Sequence, residues 1–242
     1  GTGGIDGGAM TMSSGVPTAV VTVTGAGTWR LNSLTIKAGG TFTAAAATIT
    51  MDGDFNSNAG TFTYGTSTLV LATSARVTTV NTVDTNRFYN LTVNNNVTLT
   101  MGAHFFVEND FSLGGAGGGA VDDDISVSGC NNSNSCQLGV RGNFTAGAGV
   151  TAFGAHLDYR PSVNRTLPSS ITTYVAMEIA GTGGATISLA VNTSVTGTTA
   201  NNAPYGFIIV LTSGLNAVTF NLSVTQAVSV ASAESFIQWG SG

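Results

Sequence analysis

Charge is what this chain of 242 residues has least of. Only 8% of its residues are Asp, Glu, Lys or Arg, against about 25% in an ordinary soluble domain. Lys37 is the single lysine among seven basic residues, and the net charge is −5. Phosphate backbones are held by clustered Lys and Arg, so basic residues this few and this spread along an acidic sequence speak against nucleic acid as a partner. Long apolar runs are absent too. The longest, "FIIVL" at 207–211, is far short of the roughly 18 residues of a membrane helix, and no membrane span is expected. Nor does any stretch carry a helical period with caps; the alanines at 44–47 are flanked by Thr and Gly on the outside. The chain begins with Gly1 and has no signal-like segment, the pattern expected of a processed or a trimmed form.

Glycine (33 residues), Thr, Ser, Ala and Asn fill the space that charge leaves. Disorder is excluded by 42% hydrophobic residues. In "TFTAAAATITM", "LTVNNNVTLTM", "GATISLAVNTSVTG" and "AVTFNLSVTQAVSV", apolar residues alternate with Thr, Ser or Asn. That period of two, rich in Thr, Val, Ile and Phe and broken by Gly or Asn every eight to twelve residues, spells short β-strands.

A phrase also recurs. "RFYNLTV" (87–93) returns as "RLNSLTI" (30–36) and, blurred, as "YVAMEI" (174–179). Downstream, "ITMDGDF" (49–55) aligns with "FFVENDF" (105–111) and with "VRGNF" (140–144), and "AGTFTYG" (59–65) with "AGVTAFG" (148–154). The first two landmarks lie 57 and 56 residues apart. This reads as a long repeat with nested rungs of roughly 20–25 residues, as in solenoids. Phe55, Phe111 and Phe144 are expected at equivalent buried positions in one column. Two architectures accommodate the strands: a parallel β-helix, or β-solenoid, of about ten rungs, and an antiparallel β-sandwich with an internal duplication. The shortage of hairpin dipeptides favours the solenoid. By segment, 1–28 reads as an N-terminal assembly strand and 29–199 as the degenerate repeat. Residues 200–242 form a β segment that continues the solenoid or pairs with a neighbour.

The run "MDGDFNSNAGTFTYGTSTLVL … RFYNLTVNNNVTLTMGAHFFVENDFSLGG" resembles the repeats of large prokaryotic surface proteins of the parallel β-helix, adhesin-like type. The resemblance covers Trp29 to about Thr199, and the first copy lacks the "FYN" core. It implies an exported, surface-associated β-solenoid and brings no catalytic motif with it.

Candidate sites are few. Asp52 with Asp54, and Glu108 with Asp110, stand at i, i+2 as acid/base pairs could, but both occupy the repeated turn. There Asp and Asn serve local backbone hydrogen bonds, and Asn143 replaces Asp54 in the third copy. Asp122, Asp123 and Asp124 follow a glycine-rich loop and are the candidate calcium ligands, although they lack the spaced pattern of dedicated loops; no other cofactor is expected. Cys130 and Cys136 are expected to close a local disulfide in a polar loop, which fits an oxidising compartment. Seven Asn-x-Ser/Thr sequons, at Asn90, Asn96, Asn131, Asn143, Asn164, Asn192 and Asn221, are candidate glycosylation sites. The aromatics Trp29, Tyr64, Phe88, Phe153 and Tyr174 read as core stacking rather than a sugar-binding stripe, while Trp239 falls outside the repeat. No G-x-S-x-G elbow or comparable nucleophile arrangement occurs.

Neither terminus reads as a charged cap. A charge-poor solenoid with apolar terminal strands points to a non-enzymatic structural protein, extracellular or at the cell surface. It would polymerise with copies of itself into a filament, sheath or surface layer, with surface glycans as a further partner. Two rivals belong to other classes. An exposed aromatic row would mark an adhesin or carbohydrate-binding module, and a cleft holding three carboxylates or an Arg–Asp set would mark a polysaccharide-active enzyme.

Overall fold

The structure, a computed structural model, describes residues 6–7, 10–12, 20–22, 26–79, 86–115, 117–123 and 136–196, together with strands at 207–209, 214–217, 222–224, 228–230 and 236–239. These residues contain no helix, and every strand-to-strand pairing is parallel. One isolated antiparallel bridge joins Gly115 to Gly118 in a corner. A sandwich is thereby excluded. The chain winds as a β-solenoid whose coils each contribute three short strands.

The first face stacks β1 (Asp6–Gly7), β4 (Thr28–Leu31), β7 (Thr48–Met51), β10 (Thr68–Leu71), β13 (Asn90–Val93), β16 (Phe111–Leu113) and β19 (Phe144–Ala146). The second carries β2 (Met10–Met12), β5 (Leu34–Ile36), β8 (Phe55–Asn56), β11 (Ala75–Thr78), β14 (Thr98–Met101) and β17 (Ala120–Asp123). On the third lie β3 (Val20–Thr22), β6 (Thr41–Thr43) and β9 (Thr61–Thr63), then β12 (Arg87–Phe88), β15 (Phe105–Val107) and β18 (Gln137–Val140). Two longer strands, β20 (Ala152–Tyr159) and β22 (Thr173–Ile179), run across the second and third faces. Their irregular register between Phe153 and His156 absorbs the bend. Beyond them, β24 (Thr193–Val195) and β27 (Leu222–Val224) follow the first half of β22, and β25 (Phe207–Ile209) and β28 (Val228–Val230) follow its second half. A separate sheet stacks β21 (Arg165–Thr166), β23 (Thr186–Ser188), β26 (Gly214–Ala217) and β29 (Phe236–Trp239).

Alternation sets the faces. In β7, β10, β13 and β14 the burial pattern is the same, each apolar residue inside and each Thr, Val or Asn between them half-buried on the outside. Trp29, Ile49, Leu69, Leu91, Phe111 and Phe144 form one inward column, spaced by 20, 20, 22, 20 and 33 residues. Counted on this seven-stranded face, which ends at β19, the solenoid makes about seven turns rather than ten, and the coil between Phe111 and Phe144 carries an insertion. Corners are tight. Gly65 has φ +55°, and a Cβ there would overlap the Ala45 carbonyl oxygen of the coil below.

The coil length corrects the long repeat. An offset of 56 residues is about two and two-thirds coils, so the matching phrases fall on different faces. "LTI" of the first copy is β5 on the second face, whereas "LTV" of the second copy is β13 on the first. Phe55 therefore pairs with Leu34 and Val77 on the second face and does not share a column with Phe111 and Phe144. Those two do stack, with centroids 5.2 Å apart and planes at 26°, and all three are buried. Tyr174 likewise stands in register with Phe153, not with Phe88.

Candidate functional site

Most outward columns hold hydroxyls and amides. The exception is the third face from β12 to β22, where three of the seven basic residues converge with three carboxylates. Register explains how. Arg87, Phe106, Gly139, Asp158 and Glu178 occupy one outward column. Glu108, Arg141, Arg160 and Ala180 continue the backbone ladder as a second column, two residues on. His104, Gln137 and His156 precede them in a third, the Gln137 N–H donating 2.8 Å to His104 Nδ1.

Charge pairs cross the coils. Glu108 accepts from Arg87 Nη1 at 2.6 Å on one oxygen and from Arg141 Nη1 at 3.2 Å on the other. Asp158 is fully buried and is held by Arg160, whose Nε lies 2.8 and 2.9 Å from its two oxygens and whose Nη2 lies 2.7 Å from Oδ2. Glu178 sits 3.9 Å from Arg160 Nη2. Phe106 serves both guanidiniums as a platform, with Arg141 Cζ 5.2 Å and Arg160 Cζ 5.0 Å from its ring centroid. Gly139 is required below that ring, since a Cβ there would overlap Phe106.

Burial distorts the acid–base properties of this face. It raises the Glu178 carboxyl to about 7, with Asp158 adding to the effect and Arg160 opposing it. It lowers His156 to about 4, assisted by the neighbouring His104 and Arg160, so this imidazole is neutral at neutral pH; its Nε2 has no hydrogen-bond partner among the described residues. Under the same face, burial lifts the Tyr159 hydroxyl to about 12 against the opposing charge of Arg165, and it lifts Tyr174 further still; the Tyr159 hydroxyl donates to the Gly142 carbonyl at 3.2 Å. Beside the pairs opens a cleft of about 380 Å³ lined by Glu108, Arg141, Arg160, Ser162, Ala180 and Thr182. An array of this kind can hold an anion on guanidinium N–H groups, and Glu178 carries an exchangeable proton near neutrality.

The carboxylate pairs read from sequence are taken apart by the coils. Asp52 is gripped by Arg30 through Nε at 2.6 Å and Nη2 at 2.8 Å, while Asp54 accepts the Arg76 backbone N–H at 2.8 Å. Asp110 accepts from Asn143 Nδ2 at 2.8 Å and donates its own N–H to Asn90 Oδ1. Asn90 also accepts from Asn109 and donates to Thr68, so its sequon lies inside an inter-coil ladder. Asn96, Asn143, Asn164 and Asn192 are exposed; the Oδ1 of Asn164 accepts the Thr186 N–H. Asn131 and Asn221 lie outside the described residues. So do Cys130 and Asp124, and so do the side chains of Asp122 and Asp123 on β17. Cys136 is fully buried, with Sγ 3.3 Å from the Met101 carbonyl oxygen.

The Arg–carboxylate face escaped sequence reasoning, although the sequence holds one signal of it. The aligned words "VENDF" and "VRGNF" place Glu108 over Arg141, an opposite-charge rung. Asp158, Arg160 and Glu178 have no such landmark. Comparison with family models, curated proteins and solved structures finds no match to this chain.

Proposed function

We propose that this β-solenoid is an extracellular structural protein, a self-assembling subunit of a filament, sheath or surface layer. One observation carries the reading. At one end β1, β2 and β3, and at the other β27, β28 and β29, are each paired on one side only among the described residues. Across these six strands (DG, MTM, VVT, LSV, VSV and FIQW) Asp6 is the sole charged residue. Edges that stay monomeric are guarded by Lys, Pro or bulges. Unguarded parallel edges accept a further coil from a second copy by strand addition. Charge-poor hydroxyl faces fit the same role, because neighbouring subunits then approach without repulsion. Exposed sequons at Asn96, Asn164 and Asn192 and a Cys130–Cys136 disulfide would suit an exported subunit.

Sedimentation tests it. The full chain should form species well above monomer mass with rising concentration. Ser223→Lys, Ser229→Lys and Gln238→Lys together, which put a charge on β27, β28 and β29, should leave a folded, β-rich monomer by circular dichroism. A full chain that stays monomeric at high concentration would overturn the assembly reading. The aromatic row that would mark an adhesin is not found among the described residues, where the exposed large apolar side chains are Val20 and Val163.

A further inference from the structure

The cleft on the third face opens beside a cluster in which three guanidiniums meet three carboxylates, Glu108, Asp158 and Glu178. Three guanidiniums, those of Arg87, Arg141 and Arg160, stand within one face of a chain whose net charge is −5. Two of them are already spoken for: Arg87 by Glu108, and Arg160 by the buried Asp158. Arg141 differs. The one hydrogen bond of its guanidinium among the described residues is the 3.2 Å contact from Nη1 to Glu108, and its side chain is one-third exposed at the cleft (33%). The ring of Phe106 lies 5.2 Å from the Cζ of that guanidinium, which restricts its freedom, and a guanidinium held in this way loses less entropy on bidentate capture of a carboxylate. Glu178, 3.9 Å from Arg160 Nη2 and held up to about 7 by burial, repels an incoming anion less than an ordinary glutamate would.

The remaining lining selects the rest of the ligand. Among the described residues Ser162 and Thr182 offer hydroxyls, Ala180 is the one apolar side chain of the lining, and the Glu108 carboxylate is held by Arg87 and Arg141, so there is no apolar pocket for a peptide side chain. About 380 Å³ falls in the lower range of small-ligand sites and suits one sugar ring of a chain running along the groove.

We propose that this cleft binds an acidic saccharide, with the carboxylate of a uronate residue on Arg141 and ring hydroxyls on Ser162 and Thr182. The interaction does not depend on self-assembly, so the two readings fail separately. The test is calorimetric titration of the full chain with tetragalacturonate, and with maltotetraose as the neutral counterpart. Two variants accompany it. Arg141→Gln removes the anchor without exposing a buried partner, and Lys37→Gln removes an exposed cation elsewhere. Tetragalacturonate should bind and weaken with added salt, maltotetraose should not bind, and R141Q should lose about tenfold or more in affinity while K37Q matches the parent. Absence of binding to the parent chain overturns the proposal. So does R141Q binding as tightly as the parent, or maltotetraose binding as tightly as tetragalacturonate.

Discussion

Glu178 illustrates what one residue does when a coil stacks it against like charge. Its carboxyl lies in register with Asp158 and is raised from 4.5 to about 7. A carboxyl whose folded pKa exceeds its unfolded value makes the folded state bind more protons between those two values. Stability from this residue is therefore greatest below about pH 4.5 and falls as pH rises through 7. His156 acts in the opposite sense. Its pKa drops from 6.5 to about 4, so the unfolded chain takes up the proton and stability falls as pH drops through that window. In the parent chain the two slopes oppose each other where they overlap, and a variant separates them. Glu178→Gln should leave stability unchanged near pH 4 and raise it near pH 8 by on the order of 2 kcal/mol, after allowing for partial exposure. Thermal unfolding across that range reads the difference directly. A gap between parent and E178Q that does not widen with pH would refute the assigned cause.

At the scale of the strand, the aromatic contacts inside the solenoid show which elements depend on one another. Phe88 on β12 meets Phe55 at 5.3 Å, Phe62 at 5.6 Å and Phe105 at 5.2 Å. It joins β9 to β12 where the hydrogen-bonded third-face sheet changes from one to the next. Phe88→Ala should cost roughly 3–5 kcal/mol, measured by urea unfolding. Phe62→Ala should cost clearly less, because that ring is only partly buried at the outset. Equal costs would show that the join lies elsewhere. The strands themselves were legible, since alternation of Thr with Ile, Leu, Val and Phe predicts the inward and outward sets of β7, β10, β13 and β14 without any structure. Their face was not. "LTI" at 34–36 and "LTV" at 91–93 have the same local chemistry because every corner of a three-sided coil poses the same problem: an apolar pair inside, a hydroxyl outside, then a Gly or Asn turn. Sequence similarity therefore records the corner, and only hydrogen-bond register separates one face from the next. The site was hidden for a related reason. Arg87, Arg141 and Arg160 are scattered along the chain, and coils of unequal length bring them together.

For the whole molecule, the consequence of parallel stacking is that each coil is held by its two neighbours, so stability adds along the axis coil by coil. Central strands such as β10, β13, β18 and β20 are hydrogen-bonded on both sides, whereas β1, β2, β3, β27, β28 and β29 are bonded on one. Opening an outer strand breaks a single interface, and opening a central one breaks two or requires the end to unravel first. Native-state hydrogen exchange on dilute monomer should therefore show protection that falls from the central coils to both ends, in line with the local opening energies of stacked repeats. Assembly changes the ends alone. If subunits join by adding coil to coil, the amides of β1–β3 and β27–β29 gain protection in the assembled material while those of β13 and β18 keep theirs. Association through the side faces would leave the end strands as exchangeable as before, because side chains and not backbone groups would then make the contact. Unchanged end-strand protection in assembled material would thus reject axial strand addition even where sedimentation shows a polymer.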